Sequence, residues 1–149
     1  MILEDNNKVK KFFEEASSNS AVSKERTAFL KSIAVKVHEV LQETNATTYL
    51  NFICTHNSRR SQLAQVWAYF AAAYFEIPTI KSYSGGTAVT AFFKNTVKTL
   101  QSAGFHFNVV EFNHQNPKYA ITFDDKHEAL VGFSKLYDDA NNTNPYFAI

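Results

Sequence analysis

Hydrophobic positions recur at helical spacing in two runs within the first part of the chain. The first run repeats every three or four residues from Val9 to Ala16 and breaks at residues 17–20. Ser23 can cap a second helix, and the apolar side chains that follow it form one stripe: Phe29, Leu30, Ile33, Val37, Val40 and Leu41. The pattern predicts a helical hairpin over residues 1–45, packed on a main domain; the alternative is a partner-binding arm.

From residue 46 the pattern changes to alternating strands, loops and helices. Runs of β-branched and aromatic residues predict strands, and longer amphipathic runs predict helices. The predicted strands cover residues 48–53 and 80–84, and the predicted helices cover residues 61–75 and 91–102. Gly85-Gly86 is expected to stop the second strand, and Gly104 the second helix. This order predicts an α/β domain over residues 46–149, with a central parallel sheet and right-handed crossovers.

The pattern beyond Phe105 is weaker. Residues 107–112, 119–123 and 130–133 can form strands, and a polar turn at residues 124–128 separates the last two. A β-hairpin inserted beside the parallel sheet is therefore expected. The segment from Tyr146 to Ile149 has the composition of the first residues of one more strand.

The charge balance and the cysteine count exclude several classes of protein. The chain has 149 residues, enough for one domain with a core, and its 15 basic and 14 acidic side chains leave no electrostatic footprint for nucleic acid. One cysteine, Cys54, cannot form a disulfide, a Cys-only zinc site or a Cys-x-x-Cys redox pair within the chain. No apolar stretch is long enough to span a bilayer, and residues 1–7 lack the positive and then apolar order of a signal peptide. A cytoplasmic protein in a reducing compartment, with no membrane partner, is expected.

Residues 54–61 carry chemistry that the rest of the sequence lacks. They read Cys-Thr-His-Asn-Ser-Arg-Arg-Ser and lie between a predicted strand and a predicted helix, where backbone N–H groups and the helix dipole converge on one point. The same field pulls Cys54 toward thiolate, and Arg60 can grip two oxygens of a tetrahedral anion. Ser61 can donate a hydrogen bond to the thiolate. The spacing predicts a nucleophile beneath a bound oxyanion.

A lone cysteine at the end of a strand is more often a small buried hydrophobic residue than a nucleophile. The surrounding loop favours the chemical interpretation here. Asn57 tolerates a left-handed backbone, and the loop also supplies the hydroxyls of Thr55 and Ser58 and a second arginine, Arg59. The backbone N–H groups from Thr55 to Arg60 are expected to line the anion cradle.

Other candidate residues are expected to be structural. The remaining histidines show no metal-ligand spacing: His38, His106, His114 and His127. Neither a metal site nor a cofactor is predicted. Five aromatic residues of the helix predicted over residues 61–75 follow helical spacing, which is typical of a core: Trp67, Tyr69, Phe70, Tyr74 and Phe75.

Two blocks of the sequence resemble a known family. The first matches a loop made of a cysteine, five residues, an arginine and a serine, and it consists of Cys54, Asn57, Arg60 and Ser61. The second, Ser-Gly-Gly-Thr at residues 84–87, matches a Ser-Ala-Gly-Thr turn. Over roughly residues 48–112 the chain is therefore similar to the low-molecular-weight protein tyrosine phosphatases and the arsenate reductases that share their fold, and its loop is closer to the arsenate reductases. The resemblance implies a Rossmann-like, three-layer fold.

The resemblance also implies a role for each matching residue. Cys54 would attack phosphorus or arsenic, Arg60 would bind the equatorial oxygens, and Ser61 would stabilise the thiolate. Asn57 would hold the shape of the loop through a hydrogen bond with Ser84. No cofactor is implied, and the expected substrate is phosphate, arsenate or a phosphotyrosine-type ester.

The sequence departs from the family within the loop. His56 stands where glycine is common, and Arg59 stands where a second cysteine is frequent. His56 is expected to face solvent or to support the site rather than to join the chemistry, and the charge of Arg59 would favour a doubly charged ligand. An aromatic rim around a phosphotyrosine would come from separate loops, with three candidates: Phe92, Phe93 and Tyr137.

Two features of the family are missing from the C-terminal part. The thioredoxin-coupled arsenate reductases use two further cysteines, so arsenate reduction by this chain would need an external thiol from a thioredoxin or glutathione system. The family's general acid is an aspartate on a loop after a later strand, and the sequence ends before that loop. Asp138 and Asp139 are weak candidates for this acid; the alternative is a solvated turn. We expect a C-terminally shortened member of the family.

Together these features predict a low-molecular-weight tyrosine-phosphatase-like enzyme, in which Cys54 attacks an oxyanion bound by residues 54–61. Arsenate reduction with an external thiol is the first alternative. The second is a non-catalytic module that binds an oxyanion or a protein partner.

Overall fold

Strands and helices alternate through the middle of the chain. The computed structural model describes residues 5–149, with side chains from residue 8 onward. In chain order the elements are α1 (Asp5–Asn19), α2 (Lys24–Thr44), β1 (Thr48–Cys54), α3 (Arg60–Tyr74), β2 (Ile80–Gly86), α4 (Lys94–Ala103), β3 (His106–Glu111), β4 (Lys118–Thr122), β5 (Leu130–Gly132) and β6 (Tyr146–Ala148). Each strand and helix predicted between residues 46 and 103 is present, with ends shifted by a few residues.

A parallel three-stranded sheet carries the loop at residues 54–59. Its strand order is β2-β1-β6, and β1 pairs in parallel with β2 up to Cys54↔Gly86. β6 lies on the other side of β1, also in parallel, which confirms the strand predicted from residue 146. The predicted α/β class with a parallel sheet is confirmed, and it is compatible with a Rossmann-like fold. Cys54 is the last residue of the central strand. It lies at the carboxyl end of the parallel strands, where α/β proteins bind ligands.

Residues 106–132 form a second sheet. β3, β4 and β5 are consecutive antiparallel strands, with Phe107 of β3 opposite Ile121 of β4. The predicted hairpin of β4 and β5 is confirmed, but its expected place beside the parallel sheet is wrong. β4 pairs with β3 instead, because Phe107 and Tyr119 then pack edge-on against Phe92 and one another. The sequence pattern indicates a strand but does not identify its neighbour.

The hydrophobic core lies between α1, α3, α4 and the antiparallel sheet. Val9 of α1, Val66 of α3, Leu100 of α4 and Ile121 of β4 are completely buried there. The aromatic residues of α3 mostly join this core as predicted: Phe70 is buried, Trp67, Tyr69 and Tyr74 pack against it, and Phe75 is exposed. This packing fixes α3, the helix that begins where the loop ends.

α2 is less buried than α1. Ser23 caps α2 as predicted, with its side chain accepting a hydrogen bond from the backbone N–H of Arg26. Val37 is the buried residue of this helix, whereas Phe29 and Leu30 of the predicted stripe are 56% and 46% exposed. Among the helices described, none is both long and apolar enough to cross a membrane.

Two element ends differ from the prediction for reasons that concern the loop. The glycines expected to stop β2 belong to it, because the N–H of Gly86 donates to the carbonyl of Lys135 and extends the pairing. α4 begins at Lys94, later than predicted. The residues before it bond to the loop instead, with the N–H of Phe93 donating to the carbonyl of Ser58.

Candidate active site

The loop at residues 54–59 joins the end of β1 to the start of α3. Asn57 has a φ of 45°, in the left-handed region that asparagine tolerates, and it is completely buried. Arg59 precedes α3 without capping it through its side chain. The N–H groups of a helix's first turn, together with the helix dipole, attract an anion.

A one-way series of hydrogen bonds ends at Cys54. The backbone N–H of Lys135 donates to Asn57 Oδ1 over 2.9 Å, and Asn57 Nδ2 donates to Ser61 Oγ over 2.9 Å. Because Ser61 Oγ accepts this bond, its own hydrogen is free to point at Cys54 Sγ, 3.0 Å away. The Ser61 hydroxyl can therefore donate to the sulfur, and it is the donor whenever Cys54 is a thiolate, which has no hydrogen to give.

The hydrogen bonds at Cys54 lower the pKa of its thiol. Partial burial raises this pKa, because it removes the thiolate from water. The Ser61 hydroxyl and the backbone N–H groups of Ser61, Asn57 and Ser58 lower it, and together they outweigh burial. The pKa of Cys54 therefore lies below that of an ordinary cysteine, which enlarges the thiolate fraction at neutral pH.

A cavity of about 620 Å³ opens over Cys54. Five predicted site residues and one residue that was not predicted line it: Cys54, His56, Ser58, Arg59, Arg60 and Thr90. Thr55, Asn57 and Ser61 are not part of this lining. The carbonyl of Thr55 instead accepts a hydrogen bond from the N–H of Ala88. Both arginines face the same opening as the thiol, so the cavity wall is cationic.

Arg59 is held in place by an aromatic ring. Its Cζ lies 4.1 Å from the centroid of the Phe93 ring, in a cation–π contact. Phe93 was one of three candidates for an aromatic rim, and the guanidinium now covers a face of it. Phe92 is buried in the core, and Tyr137 does not line the cavity. These three residues therefore do not form the predicted rim.

Ser84 does not bond directly to Asn57, and this expectation was wrong. Its hydroxyl donates to Gln65 Oε1 over 2.5 Å. Gln62 makes the connection to the loop, with Nε2 donating to Asn57 O over 3.0 Å and to Phe133 O over 2.9 Å. Gln62 and Gln65 extend from α3 toward β2, and their side-chain oxygens accept from the Ser84 hydroxyl. The longer glutamine side chains thus take the place beside Ser84 that was expected for Asn57.

The segment at residues 133–135 supports the loop from the antiparallel sheet, and the sequence analysis missed it. Ser134 Oγ donates to the carbonyl of His56 over 2.9 Å, and Thr90 Oγ1 donates to the same carbonyl over 3.1 Å. The N–H of Lys135 holds Asn57 as described above. The polar pair Ser134-Lys135 directly after an apolar strand was the available signal, although it carries no recognisable motif.

Asp138 and Asp139 lie in a polar turn. Neither lines the cavity over Cys54, and Asp139 Oδ1 accepts hydrogen bonds from the N–H and the side chain of Asn141. Burial raises the pKa of Asp139, but these bonds and the charges of Lys135 and Lys118 lower it by more. A general acid needs the opposite shift, which argues against Asp139. The position of both residues away from the cavity lining favours the solvated-turn interpretation.

No group of three or more potential metal ligands occurs within the described part of the chain. Comparisons of the sequence and structure with models of protein families, with curated proteins and with solved structures found no match. The site combines a thiol, hydrogen-bond donors that surround its sulfur, and a cavity lined by two arginines.

Proposed function

We propose that this protein is a cysteine-dependent phosphomonoester hydrolase of the low-molecular-weight tyrosine phosphatase type. One observation carries the proposal: Cys54 Sγ lies 3.0 Å from Ser61 Oγ, which can donate to the thiolate, within a loop whose backbone N–H groups also lower the pKa of the thiol. A buried structural cysteine needs no such set of donors. The parallel order β2-β1-β6, with Cys54 at the end of the central strand, supports the same fold type.

The proposed reaction has two displacement steps at phosphorus. The Cys54 thiolate attacks phosphorus and forms an S–P bond while the ester oxygen leaves with the electrons of the P–O bond. Arg60 and the loop N–H groups bind the remaining oxygens and the charge that develops on them. Water then attacks phosphorus, inorganic phosphate is released, and the electrons of the S–P bond return to sulfur, where the Ser61 hydroxyl stabilises the thiolate.

The substrate for a first test is 4-nitrophenyl phosphate, because its leaving group departs without protonation and so does not depend on a general acid. We expect Cys54→Ser to lower kcat by a factor on the order of a thousand or more. Arg60→Ala should weaken substrate binding and turnover more than Arg59→Ala, since the family role of anion ligand falls on Arg60. Equal rates for the wild type and Cys54→Ser would overturn the proposal. Phosphate binding that survives Cys54→Ser without turnover in either protein would indicate a non-catalytic oxyanion-binding module.

Arsenate reduction is the second candidate, and the lining of the cavity favours it. Phe93 is covered by Arg59, and no Phe, Tyr or Trp side chain is among the lining residues, which suits a small inorganic dianion better than an aryl ester. Cys54 would displace hydroxide from arsenate and form an S–As bond. An external thiol would then attack the Cys54 sulfur, and arsenite would leave with the electron pair. A second external thiol would then break the mixed disulfide and release Cys54 as a thiolate. The two external thiols are thereby oxidised to a disulfide and supply the two electrons that reduce arsenate.

Thiol consumption distinguishes the two candidates. Arsenate-dependent oxidation of reduced thioredoxin or glutathione, absent in Cys54→Ser, would decide for reduction; hydrolysis of the aryl phosphate alone would decide for the phosphatase. Both reactions require Cys54 to stay reduced, and for this reason we include a cytoplasmic location in the proposal.

A further inference from the structure

Lys135 carries an ammonium group in an unusual position. The residue is 3% exposed, and its Nζ lies 3.3 Å from Phe133 O, 3.5 Å from Ser84 Oγ and 4.6 Å from the centroid of the Phe133 ring. Among the side chains of residues 8–149, no carboxylate forms an ion pair with it. A buried cation without a carboxylate partner costs free energy unless another negative charge compensates for it.

The backbone of Lys135 ties it to both sides of the anion loop. Its N–H donates to Asn57 Oδ1 over 2.9 Å, and its carbonyl accepts from the N–H of Gly86 over 2.9 Å. Gly86 pairs with Cys54 in the parallel sheet. The ammonium reaches Ser84, two residues before Gly86, so the positive charge lies behind the loop on the side of the sheet.

We propose that Lys135 is a positioning residue for the oxyanion site, whose buried ammonium favours the anion-bound loop and takes the bound dianion as its counter-charge. This inference rests on the proposed function, because it needs an oxyanion at the loop. Lys135 lies outside residues 54–61 and 84–87, the two blocks that resemble the family, so it supplies a positive charge that neither block contains. Lys135 does not touch the anion. Its backbone N–H holds Asn57, and its ammonium acts through the electrostatic potential at the loop.

The charge of Lys135 should depend on pH near neutrality. Burial lowers the pKa of Lys135 to about 8, and the negative charge of Asp139 acts in the opposite direction. Another charged group near it is Lys118, whose Nζ lies 5.0 Å from the centroid of the same Phe133 ring. Because the ammonium is lost as pH rises through its pKa, anion affinity should fall over the same interval.

Calorimetric titration with sulfate tests this in the Cys54→Ser background, which removes the titration of the thiol. Sulfate stays a dianion between about pH 7 and about pH 9.5. We expect the sulfate dissociation constant to rise about tenfold across this interval. Lys135→Met should bind sulfate about tenfold more weakly near pH 7 and show no further pH dependence, whereas Lys135→Arg should restore the affinity without the pH dependence.

Lys118→Met is the matched control. Lys118 contacts the same ring, but it is partly exposed and pairs with Glu111 at 2.8 Å, so its removal should change the dissociation constant by less than about twofold. If Lys135→Met binds sulfate as well as Lys118→Met does, the inference is wrong while the proposed function stands. If sulfate does not bind, or if Arg60→Ala binds it as well as the parent protein does, the proposed oxyanion site is wrong. Should Lys135→Met not fold, a pH-independent dissociation constant in the Cys54→Ser protein alone overturns the inference.

Discussion

Asn57 donates a hydrogen bond from Nδ2 to Ser61 Oγ over 2.9 Å, and this bond leaves the Ser61 hydrogen free to point at Cys54 Sγ. The same asparagine turns the loop through its left-handed φ of 45°. Its amide cannot be reversed without loss, because Oδ1 accepts from the N–H of Lys135 and a backbone N–H can only donate. Loop shape and thiol chemistry are thus coupled through one buried side chain.

Ser61→Ala should raise the pKa of Cys54. The substitution removes the hydroxyl donor but leaves the backbone N–H groups in place, so we expect the pKa of Cys54 to move part of the way toward that of an ordinary thiol. The pH dependence of alkylation by iodoacetamide measures it. Ser58→Ala is the control, since its side chain makes no hydrogen bond to the sulfur and its N–H is retained. Equal alkylation profiles for the two variants would show that the hydroxyl does not act on the thiolate.

Gly86→Ala should disturb the anion loop directly. A Cβ at this position would lie 2.7 Å from the backbone nitrogen of Asn57 and 2.8 Å from the carbonyl oxygen of Thr55, both of which belong to the loop. Backbone atoms cannot move aside cheaply, so we expect a destabilisation of about 1–3 kcal/mol together with loss of phosphate binding. Thermal denaturation with and without phosphate measures both effects.

Gly132→Ala is the control for this substitution. Its Cβ would meet Ile121 Cδ1 at 2.6 Å, the end of a side chain in the core far along the chain from the loop. It should lower stability but leave the stabilisation by phosphate intact. If Gly86→Ala is stabilised by phosphate as strongly as Gly132→Ala, the close packing of β2 against the loop does not matter for binding.

The part of the site that could be predicted from sequence is the part that is contiguous in the chain. A strand, a loop and a helix in succession fix where Cys54, Asn57, Arg60 and Ser61 lie relative to one another, because each is within a few residues of the turn. The roles of Asn57 and Ser61 in shaping the loop follow from local geometry alone.

The support from residues 133–135 could not be predicted in the same way. Ser134 and Lys135 are 78 residues from the loop positions they bond, and their placement depends on β4 pairing with β3 in a second sheet. A strand pattern does not specify its pairing partner, so nothing local connected these residues to the loop. Ser84 was misjudged for a related reason, since the reach of Gln62 and Gln65 across the α3–β2 contact is a tertiary property.

Val9→Ala should destabilise the whole domain and not only α1. Val9 is completely buried, and its Cγ2 lies where a Cβ on Gly104 would come within 2.9 Å, so the site has little room to relax. We expect a loss of about 2 kcal/mol in the free energy of unfolding. Urea denaturation followed by Trp67 fluorescence measures it, because Phe12 and Phe13 of α1 stack on the Trp67 ring.

Val22→Ala is the control for this substitution. Val22 is half-exposed, so its truncation should change stability by less than about 0.5 kcal/mol. A similar effect for both variants would mean that α1 is not part of the core.

Asp124 should make stability depend on pH in the acid range. Burial raises the pKa of Asp124, but hydrogen bonds from the N–H and the ring of His127 and from the N–H of Lys126 lower it by more. A carboxylate whose pKa is lower in the folded state stabilises the fold above its unfolded pKa of about 3.9, and this contribution is lost as pH falls through the folded value. Asp124→Asn should therefore unfold at lower urea concentration than the wild type at neutral pH, and the difference should shrink below about pH 4.

Asp125→Asn is the control. Asp125 is an exposed neighbour without side-chain hydrogen bonds, so this variant should match the wild type throughout. A difference between Asp124→Asn and the wild type that stays constant down to acid pH would show that the contribution does not come from the charged carboxylate.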